Sequence, residues 1–295
     1  MKKILNYRTA INLFFIITSI MFIVPVLYVI SISFSSEASI NAQGYSLIPS
    51  EWSLDAYRYA FRNPTQVIDS YQVTIFTSVV GSFLGVLVMA LMAYPLSRPN
   101  FIFKKPITFF IFFSMLFGGG LIPTYILNTQ YLGLGNNIWV YILPGLANAW
   151  YIIVMRTFFQ QIPTALAEAA KIDGASELRI FFSILLPLSK PVLATVFFMT
   201  LVTKWNDWQT SLIYIRDEEL YTLQYMLQRI LNEVEFLKNI SQNMGSELNI
   251  NIEVDVPTEP MRFAMVIIAA GPMLVVFPFF QKYFTKGLTV GAVKG

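Results

Sequence analysis

Residues Glu168 to Pro187 read EAAKIDGASELRIFFSILLP, and this stretch predicts a helix, a tight turn and a second helix. The first helix is expected to end at Asp173-Gly174, because glycine readily adopts the left-handed conformation that follows a helix C-terminus. Ser176 is the expected N-cap of the second helix, since its hydroxyl can accept a backbone N–H of the first turn. We expect the second helix to end at Leu186-Pro187, because proline cannot continue a regular helix.

Small apolar residues recur at three- and four-residue spacing along the predicted first helix, which places them on one face. They are Ala165, Leu166, Ala169 and Ala170, whereas Glu168 and Lys171 fall on the other side. A short helix with a flat face and an acidic tip is suited to being held by another protein. On physical grounds alone, an ordinary amphipathic loop between two membrane spans is an equally good interpretation.

The spacing is more specific than the composition of this stretch. EAA is followed by three residues and Gly174, then by nine residues, Ile184, one residue and Leu186-Pro187. This pattern, the EAA motif, resembles the coupling-loop signature of permease subunits in ABC importers. In that family the loop docks into a cleft on the cytoplasmic ATPase subunit. The resemblance therefore implies contact with an ATPase for Glu168, Ala169, Ala170, Asp173, Gly174, Leu186 and Pro187.

Three further stretches extend the resemblance over nearly the whole chain. AYPLSR (Ala93 to Arg98), GLIPTYIL (Gly120 to Leu127) and the terminal GLTVGAVKG (Gly287 to Gly295) look like the carbohydrate-importer branch, which contains the maltose permease. The resemblance implies the type I ABC importer permease fold. In the maltose permease a similar tail enters the interface between two ATPase subunits, which implies an ATPase-interface role for Gly291, Lys294 and Gly295.

The composition is that of a membrane protein. Of the 295 residues 56% are hydrophobic and 13% charged, and the mean hydropathy is +0.60, whereas a soluble domain carries about 25% charged residues. The chain has no Cys and no His, which excludes disulfides, Cys- or His-ligated zinc or haem, and Cys or Ser-His catalysis. It also has no P-loop motif. We therefore expect no enzyme activity, no metal and no cofactor, with ATP hydrolysis supplied by a separate subunit.

Six long apolar stretches predict an all-α membrane protein with six transmembrane helices in one permease domain, residues 1–295. The first stretch is too long for a signal-peptide core, which has roughly 7–15 residues. Polar segments predict a coupling loop at 159–190 and an extracytoplasmic loop at 209–260. The polar stretch from Ser35 to Asp69 predicts a further external segment, with a short helix near Leu54 to Phe61. The predicted spans are residues 11–34, 73–96, 106–127, 137–158, 192–208 and 261–280.

The charges are distributed unevenly between the two sides that six spans define. The tails, the second loop and the fourth loop hold 13 Lys/Arg and 3 Asp/Glu, whereas the other loops hold 7 and 14. Since positively charged loops stay in the cytoplasm, both termini and the coupling loop are predicted to be cytoplasmic. The chain is thus expected to be a multi-pass protein of the cell membrane.

The spans are expected to enclose a path for a neutral, polar solute. No charged residue lies well inside a predicted span, and Arg156, Lys204, Asp207 and Arg262 fall towards the edges. Proton-coupled transporters usually bury such residues. Helix breaks are predicted at Gly118 to Pro123, at Pro144-Gly145 and at Gly271-Pro272, and irregular backbone at membrane depth lines cavities or is buried in protein. These breaks favour a gated path, although a packing notch explains each one nearly as well.

Six residues are candidates for the solute path. Asn148 and Thr200 are expected near mid-membrane, and Gly119 is expected nearer the outside. Tyr125, Trp150 and Trp205 offer aromatic faces on which sugar C–H surfaces can stack, while Asn and Thr satisfy hydroxyls. For each aromatic residue the stronger interpretation is structural, because Trp and Tyr are enriched at membrane interfaces.

The predicted extracytoplasmic loop contains an amphipathic helix and an alternating segment. Apolar residues between Leu220 and Leu237 mark one helix face, and Leu248 to Val256 alternates as a strand does. A cap lying on the membrane would show the same pattern. In the family that the chain resembles, this loop contacts a solute-binding protein.

These features together predict a permease subunit of an ABC importer for carbohydrates, with oligosaccharides as the expected class. The resemblance implies a second permease subunit, expected as a heterodimer partner, a cytoplasmic ATPase dimer and an extracytoplasmic binding protein. Membrane lipid is expected around the chain, and no nucleic acid. Two alternatives stay open: import of another polar solute, such as a polyol or a glycerophosphodiester, and a non-transporting membrane scaffold. Genes for an ATPase and a binding lipoprotein beside this gene would exclude the scaffold.

Overall fold

The computed structural model describes residues 2–248 and 257–287, and these ranges confirm the all-α fold class. No strand occurs among them apart from one isolated antiparallel bridge between Ser35 and Trp52. The strand predicted for Leu248 to Val256 lies almost wholly outside the described residues, as do Gly291, Lys294 and Gly295 of the predicted tail.

Fourteen α-helices follow one another along these two ranges, joined by short 3-10 and π-helical turns. The predicted short helix near Leu54 is present as Asp55–Ala60. The helices are α1 Lys2–Ser33, α2 Glu37–Gln43, α3 Asp55–Ala60, α4 Pro64–Ser97, α5 Lys104–Leu116, α6 Leu121–Ile126, α7 Ala149–Phe159, α8 Thr164–Ile172, α9 Glu177–Ile180, α10 Leu186–Leu188, α11 Lys190–Trp205, α12 Gln209–Tyr214, α13 Leu223–Leu248 and α14 Thr258–Gly287.

Three helices are long and apolar enough to cross a membrane: Tyr7–Ser33, Pro64–Ser97 and Thr258–Lys282. Three further candidates are pairs of helical segments, each bent at a short break. Lys104–Leu116 with Leu121–Tyr131 is bent by 114°, Ile138–Gly145 with Ala149–Phe159 by 49°, and Glu177–Leu188 with Lys190–Trp205 by 81°. These segments overlap each of the six predicted spans, and the count of six stays a prediction.

Two of the three predicted helix breaks are present. The chain turns sharply between α5 and α6 at Gly120, whose φ of +83° favours glycine, and it is again irregular around Pro144-Gly145. The break expected at Gly271-Pro272 is wrong, because α14 runs through both residues. A proline inside a helix removes one backbone hydrogen bond, and a helix of 30 residues can continue past that loss.

The chain divides into two compact units. In the unit formed by Met1–Thr65 and Met226–Pro272, the predicted amphipathic helix is present as α13, with Met226 and Val234 buried. In the unit formed by Gln66–Tyr225 and Met273–Gly295, the core joins α4 to α5, α7, α8 and the helices that follow up to α11. Its fully buried residues include Ala90, Ala93, Met155, Ile180 and Phe181.

Candidate functional site

The predicted helix-turn-helix is present as α8, a turn, and α9 followed by a π-helical turn. The turn has the Schellman hydrogen bonds, in which Ala175 N donates to Ala170 O (2.8 Å) and Gly174 N donates to Lys171 O (3.0 Å). Gly174 has a φ of +79°, as the sequence predicted. The Ser176 hydroxyl caps the second helix by accepting the N–H of Arg179 at 3.3 Å. Local hydrogen bonds therefore account for the turn and for the start of the second helix.

The second helix was predicted to end at Leu186-Pro187. That prediction is wrong, because the helix continues to Leu188. The residues before the proline, Phe181–Leu185, form a π-helical turn, in which Leu186 N–H bonds to Phe181 O. A proline ring normally clashes with the carbonyl four residues earlier. The wider π turn moves that carbonyl away, so the helix accepts Pro187 and bends instead at Ser189.

The carboxylate of Glu177 ties the loop to the end of α4. It accepts a hydrogen bond from the Tyr94 hydroxyl at 2.5 Å and forms an ion pair with Lys171. Lys171, together with Tyr94, holds the pKa of the Glu177 carboxyl below its usual range. The Tyr94 ring packs on Phe181 with centroids 5.3 Å apart, and the Arg98 guanidinium lies 4.6 Å from the ring centroid on its face. We call the hydrogen bond between Tyr94 and Glu177, together with the contacts of the Tyr94 ring with Phe181 and Arg98, the latch.

The latch explains the structural role of the AYPLSR stretch (Ala93 to Arg98). Ala93 is fully buried, Leu96 O accepts a hydrogen bond from Arg156 Nε at 3.1 Å, and Tyr94 and Arg98 make the contacts just described. Tyr94 and Glu177 are not among the candidate residues that the sequence predicted. The signal for Tyr94 was present in the AYPLSR stretch itself, whereas the pairing joins residues 83 positions apart and leaves no local trace.

The loop presents apolar side chains outward. Ile172 is 87% exposed and Leu178 65% exposed, and Leu166 and Ala169 are exposed as well. The predicted alanine face is divided, however, because Ala170 is half-buried and packs towards the core. Each large apolar side chain contributes about 1.5–3 kcal/mol when it is fully buried, so this tip can bind a partner surface.

A second candidate site is a polar cavity of about 550 Å³. Such a volume is within the usual range for small-molecule sites, roughly 300–1,000 Å³. Amides and hydroxyls make up much of its wall, together with one lysine and one aspartate. The lining residues are Met89, Val140, Tyr141, Pro144, Gly145, Asn148, Tyr151, Thr200, Thr203, Lys204, Asn206, Asp207, Trp208, Gln209 and Thr210.

Two of the six predicted path residues line this cavity. Asn148 also caps α7, where its Oδ1 accepts the N–H of Tyr151 at 3.3 Å, and the Thr200 hydroxyl donates to Val196 O at 2.8 Å. The other four lie elsewhere in the described part of the chain. Gly119 is in the break before α6 and Trp150 is 59% exposed, while Tyr125 stacks on Tyr214 and Trp205 is buried. A role in solute binding stays a prediction for all six.

Lys204 is a charged residue in the wall of the cavity, although the sequence placed it towards the edge of a span. Although it lies in the last turn of α11, its side chain turns inward, and its Nζ donates to Tyr141 O at 2.6 Å. A Cβ placed on Gly81 would lie 2.8 Å from Lys204 Cε. Gly81 is eight residues inside the predicted second span, about 12 Å along the helix, so in the predicted topology the lysine lies at membrane depth.

Comparisons with known proteins agree with this architecture. The model of the family described as binding-protein-dependent transport system inner membrane component matches residues 73–290. The chain is 37% identical to the polygalacturonan/rhamnogalacturonan transport system permease protein YtcP of Bacillus subtilis (strain 168), over 96% of each chain. It is 30% identical to the maltodextrin transport system permease protein MdxG of the same organism, over 100% of this chain and 97% of the relative.

A solved structure shares both fold and sequence with the chain. It is the crystal structure of a bacterial ABC transporter involved in the import of the acidic polysaccharide alginate. The TM-score is 0.75 at 30% identity, and the match covers 94% of this chain and 96% of that chain. The family match spans well over half of the present sequence. The chain therefore belongs to the family of binding-protein-dependent transport system inner membrane components, which are multi-pass permease subunits of ABC transporters in the cell membrane.

Proposed function

We propose that this permease imports oligosaccharides. The observation that carries the proposal is the cavity of about 550 Å³, whose amide and hydroxyl side chains match the hydrogen-bonding groups of a sugar. Asn148, Thr203 and Gln209 supply donors and acceptors, and Trp208 supplies an apolar wall for C–H faces. The relatives whose names mention polygalacturonan, maltodextrin and alginate support a carbohydrate as the cargo.

We further propose six membrane spans with both termini in the cytoplasm. The excess of Lys and Arg in the tails, the second loop and the fourth loop supports this orientation. In this arrangement the 159–190 loop meets the cytoplasm and the 209–260 loop faces outside. The cavity then lies between the coupling loop and the outer surface, where a solute in transit would pass.

The proposed partners are an ATPase dimer, a second permease and a solute-binding protein. The apolar tip around Ile172 and Leu178 supports the ATPase contact, because such exposed side chains outside a membrane favour a protein partner. The helix α13 supports the binding-protein contact, since Phe236 is 63% exposed on a helix whose other face is buried. The second permease is proposed as a different chain, giving a heterodimer.

In the proposed mechanism, closure of the ATPases moves the segment from Glu168 to Pro187. The latch passes this movement to α4 through the hydrogen bond between Glu177 and Tyr94. A rigid helix that is displaced at one end moves at the other, so the spans rock between states open to either side. The permease itself performs no hydrolysis.

The test is transport by the reconstituted complex. Permease, partner permease, ATPase and loaded binding protein are placed in proteoliposomes. Uptake of labelled trigalacturonate, maltotriose, glycerol and a glycerophosphodiester is then measured with ATP and with a non-hydrolysable analogue. ATP-dependent uptake of either sugar is the expected result. Uptake restricted to glycerol or a glycerophosphodiester would overturn the carbohydrate assignment. A complex that assembles and hydrolyses ATP but moves none of these solutes would favour the scaffold.

A further inference from the structure

Lys204 carries a charge into the wall of a cavity that is otherwise lined mainly by neutral groups. An ammonium group has three N–H donors and no acceptor. Within residues 2–248 and 257–287, the hydrogen bond from Nζ to Tyr141 O (2.6 Å) is the one that the ammonium forms. The remaining donors are therefore available to a group inside the cavity.

The structure holds this ammonium in place from three sides. The Tyr141 carbonyl is open to it because Pro144, three residues later, has no N–H to complete a 3-10 turn. Gly81 leaves space for the aliphatic part of the lysine, since a Cβ there would be 2.8 Å from Cε and 2.9 Å from Cδ. A Cβ on Gly145 would lie 3.4 Å from Nζ. The irregular segment Ile138–Gly145 and helix α4 thus form a slot for the Lys204 side chain.

Asp207 lines the same cavity but does not neutralise Lys204 by direct contact. Its Oδ1 accepts the backbone N–H of Thr210 at 3.0 Å, at the start of α12. No ion pair joins it to Lys204 in the described part of the chain. The wall of the cavity therefore holds a cation and an anion that are not joined in an ion pair.

We propose that Lys204 binds a carboxylate of the transported sugar, so that the cavity selects oligosaccharides of uronic acids over neutral ones. This inference rests on the proposed function and names the substrate class of the same site. A charge-assisted hydrogen bond to an ammonium is stronger than one between neutral groups, and it is strengthened further where water is scarce. The neutral hydroxyls of the sugar would contact the surrounding amides and hydroxyls.

The test compares two ligands of nearly equal size that differ in charge. Trigalacturonate and its fully methyl-esterified form are titrated into the complete importer complex in nanodiscs, without binding protein, so that selection by the binding protein does not contribute. The wild type is expected to bind the acid more tightly. Lys204→Gln should weaken binding of the acid by roughly tenfold or more, the factor expected for one hydrogen bond to a charged group, and leave the ester unchanged.

Two further variants keep the result interpretable. Asp207→Asn removes the nearby negative charge and should leave binding of the acid equal or tighter. If the loss of any charged residue in the cavity disturbed binding, Asp207→Asn would instead weaken binding of the acid. Gly81→Ala retains the ammonium but displaces it, and should weaken the acid selectively even if the Lys204→Gln complex does not assemble. Equal losses for acid and ester in these variants, or a wild type without preference for the acid, would overturn the inference. Failure of both ligands to bind would instead count against the proposed function.

Discussion

The latch between Glu177 and Tyr94 can be removed one atom at a time. Tyr94→Phe deletes only the hydroxyl that donates to Glu177, and it leaves the ring on Phe181 and beneath Arg98. Glu177→Gln removes the negative charge that Tyr94 and Lys171 share. Because the ring stays in the core, we expect the permease to fold and to insert normally in both cases.

The size of the effect follows from the exposure of the two partners. A hydrogen bond to a charged group contributes about 1.5–3 kcal/mol when it is shielded from water. The Glu177 side chain is 56% exposed, so solvent screening reduces this value to about 1 kcal/mol. That energy corresponds to roughly a fivefold change in the ratio of latched to unlatched loop. Truncating Phe181 to alanine would cost about 3–5 kcal/mol, which would confuse uncoupling with unfolding.

The assay is the number of solute molecules transported per ATP hydrolysed in proteoliposomes. Each single variant should lower this ratio by up to roughly fivefold, while ATP turnover persists. The double variant should fall no further than the worse single variant, because both substitutions remove the same bond. Tyr57→Phe is a matched control, since the Tyr57 hydroxyl donates to Ser33 Oγ at 2.9 Å and lies outside the latch. Independent, additive losses, or a wild-type ratio for Tyr94→Phe, would refute the reasoning.

Three other outcomes are expected. Gly174→Val forces a side chain into a φ of +79° at a cost of about 1–2 kcal/mol, and should lower transport per ATP while membrane insertion stays normal. Gly271→Ala is the control, because it adds a methyl group in open space on α14 and should leave transport unchanged. Equal uptake by both variants would contradict this prediction. Deleting residues 290–295 should reduce ATPase retention by the complex on affinity purification, and unchanged retention and ATP turnover would make the tail dispensable. Arg262→Gln removes ion pairs to Glu235 (2.8 Å) and Glu259 (3.1 Å), and it should speed proteolysis within α13. The increase should be larger at low salt than at high salt, because salt screens exposed ion pairs. Arg58→Gln is the control, and equal digestion rates for the two variants would count against the prediction.

Local chemistry explains the parts of the site that the sequence predicted correctly. The turn at Gly174 needs only a left-handed residue after a helix, and the cap at Ser176 needs only a hydroxyl before one. The amphipathic face of α13 follows from spacing alone. The break before α6 follows from three consecutive glycines, since little else stabilises a helix there. Each of these features is decided within a few residues, so a single sequence is sufficient.

The features that the sequence did not predict depend on distant partners or on compensation. The second helix of the coupling loop continues through Pro187 because a π-helical turn precedes this proline. Helix α14 continues through Pro272 because the hydrogen bonds of a long helix compensate for the one that the proline removes. Lys204 turns inward because Gly81, far away in the sequence, leaves space for it, and because a broken segment offers the Tyr141 carbonyl. Spacing rules describe neighbours in sequence, whereas Gly81 and Tyr141 lie 123 and 63 positions away from Lys204.

The uninterrupted course of α4 distinguishes it from the bent segments of the same unit. It has no break between Gly81 and Tyr94, whereas the three broken segments are bent by 114°, 49° and 81°. These two residues are thirteen positions apart, on the order of 20 Å along a helix. Tyr94 contacts the coupling loop and Gly81 contacts Lys204 at the cavity. A continuous helix transmits a displacement along its axis, while a bend absorbs it as a change of angle. We therefore infer that α4 carries the movement of the loop to the wall of the cavity, and that the bent segments are where the path opens and closes.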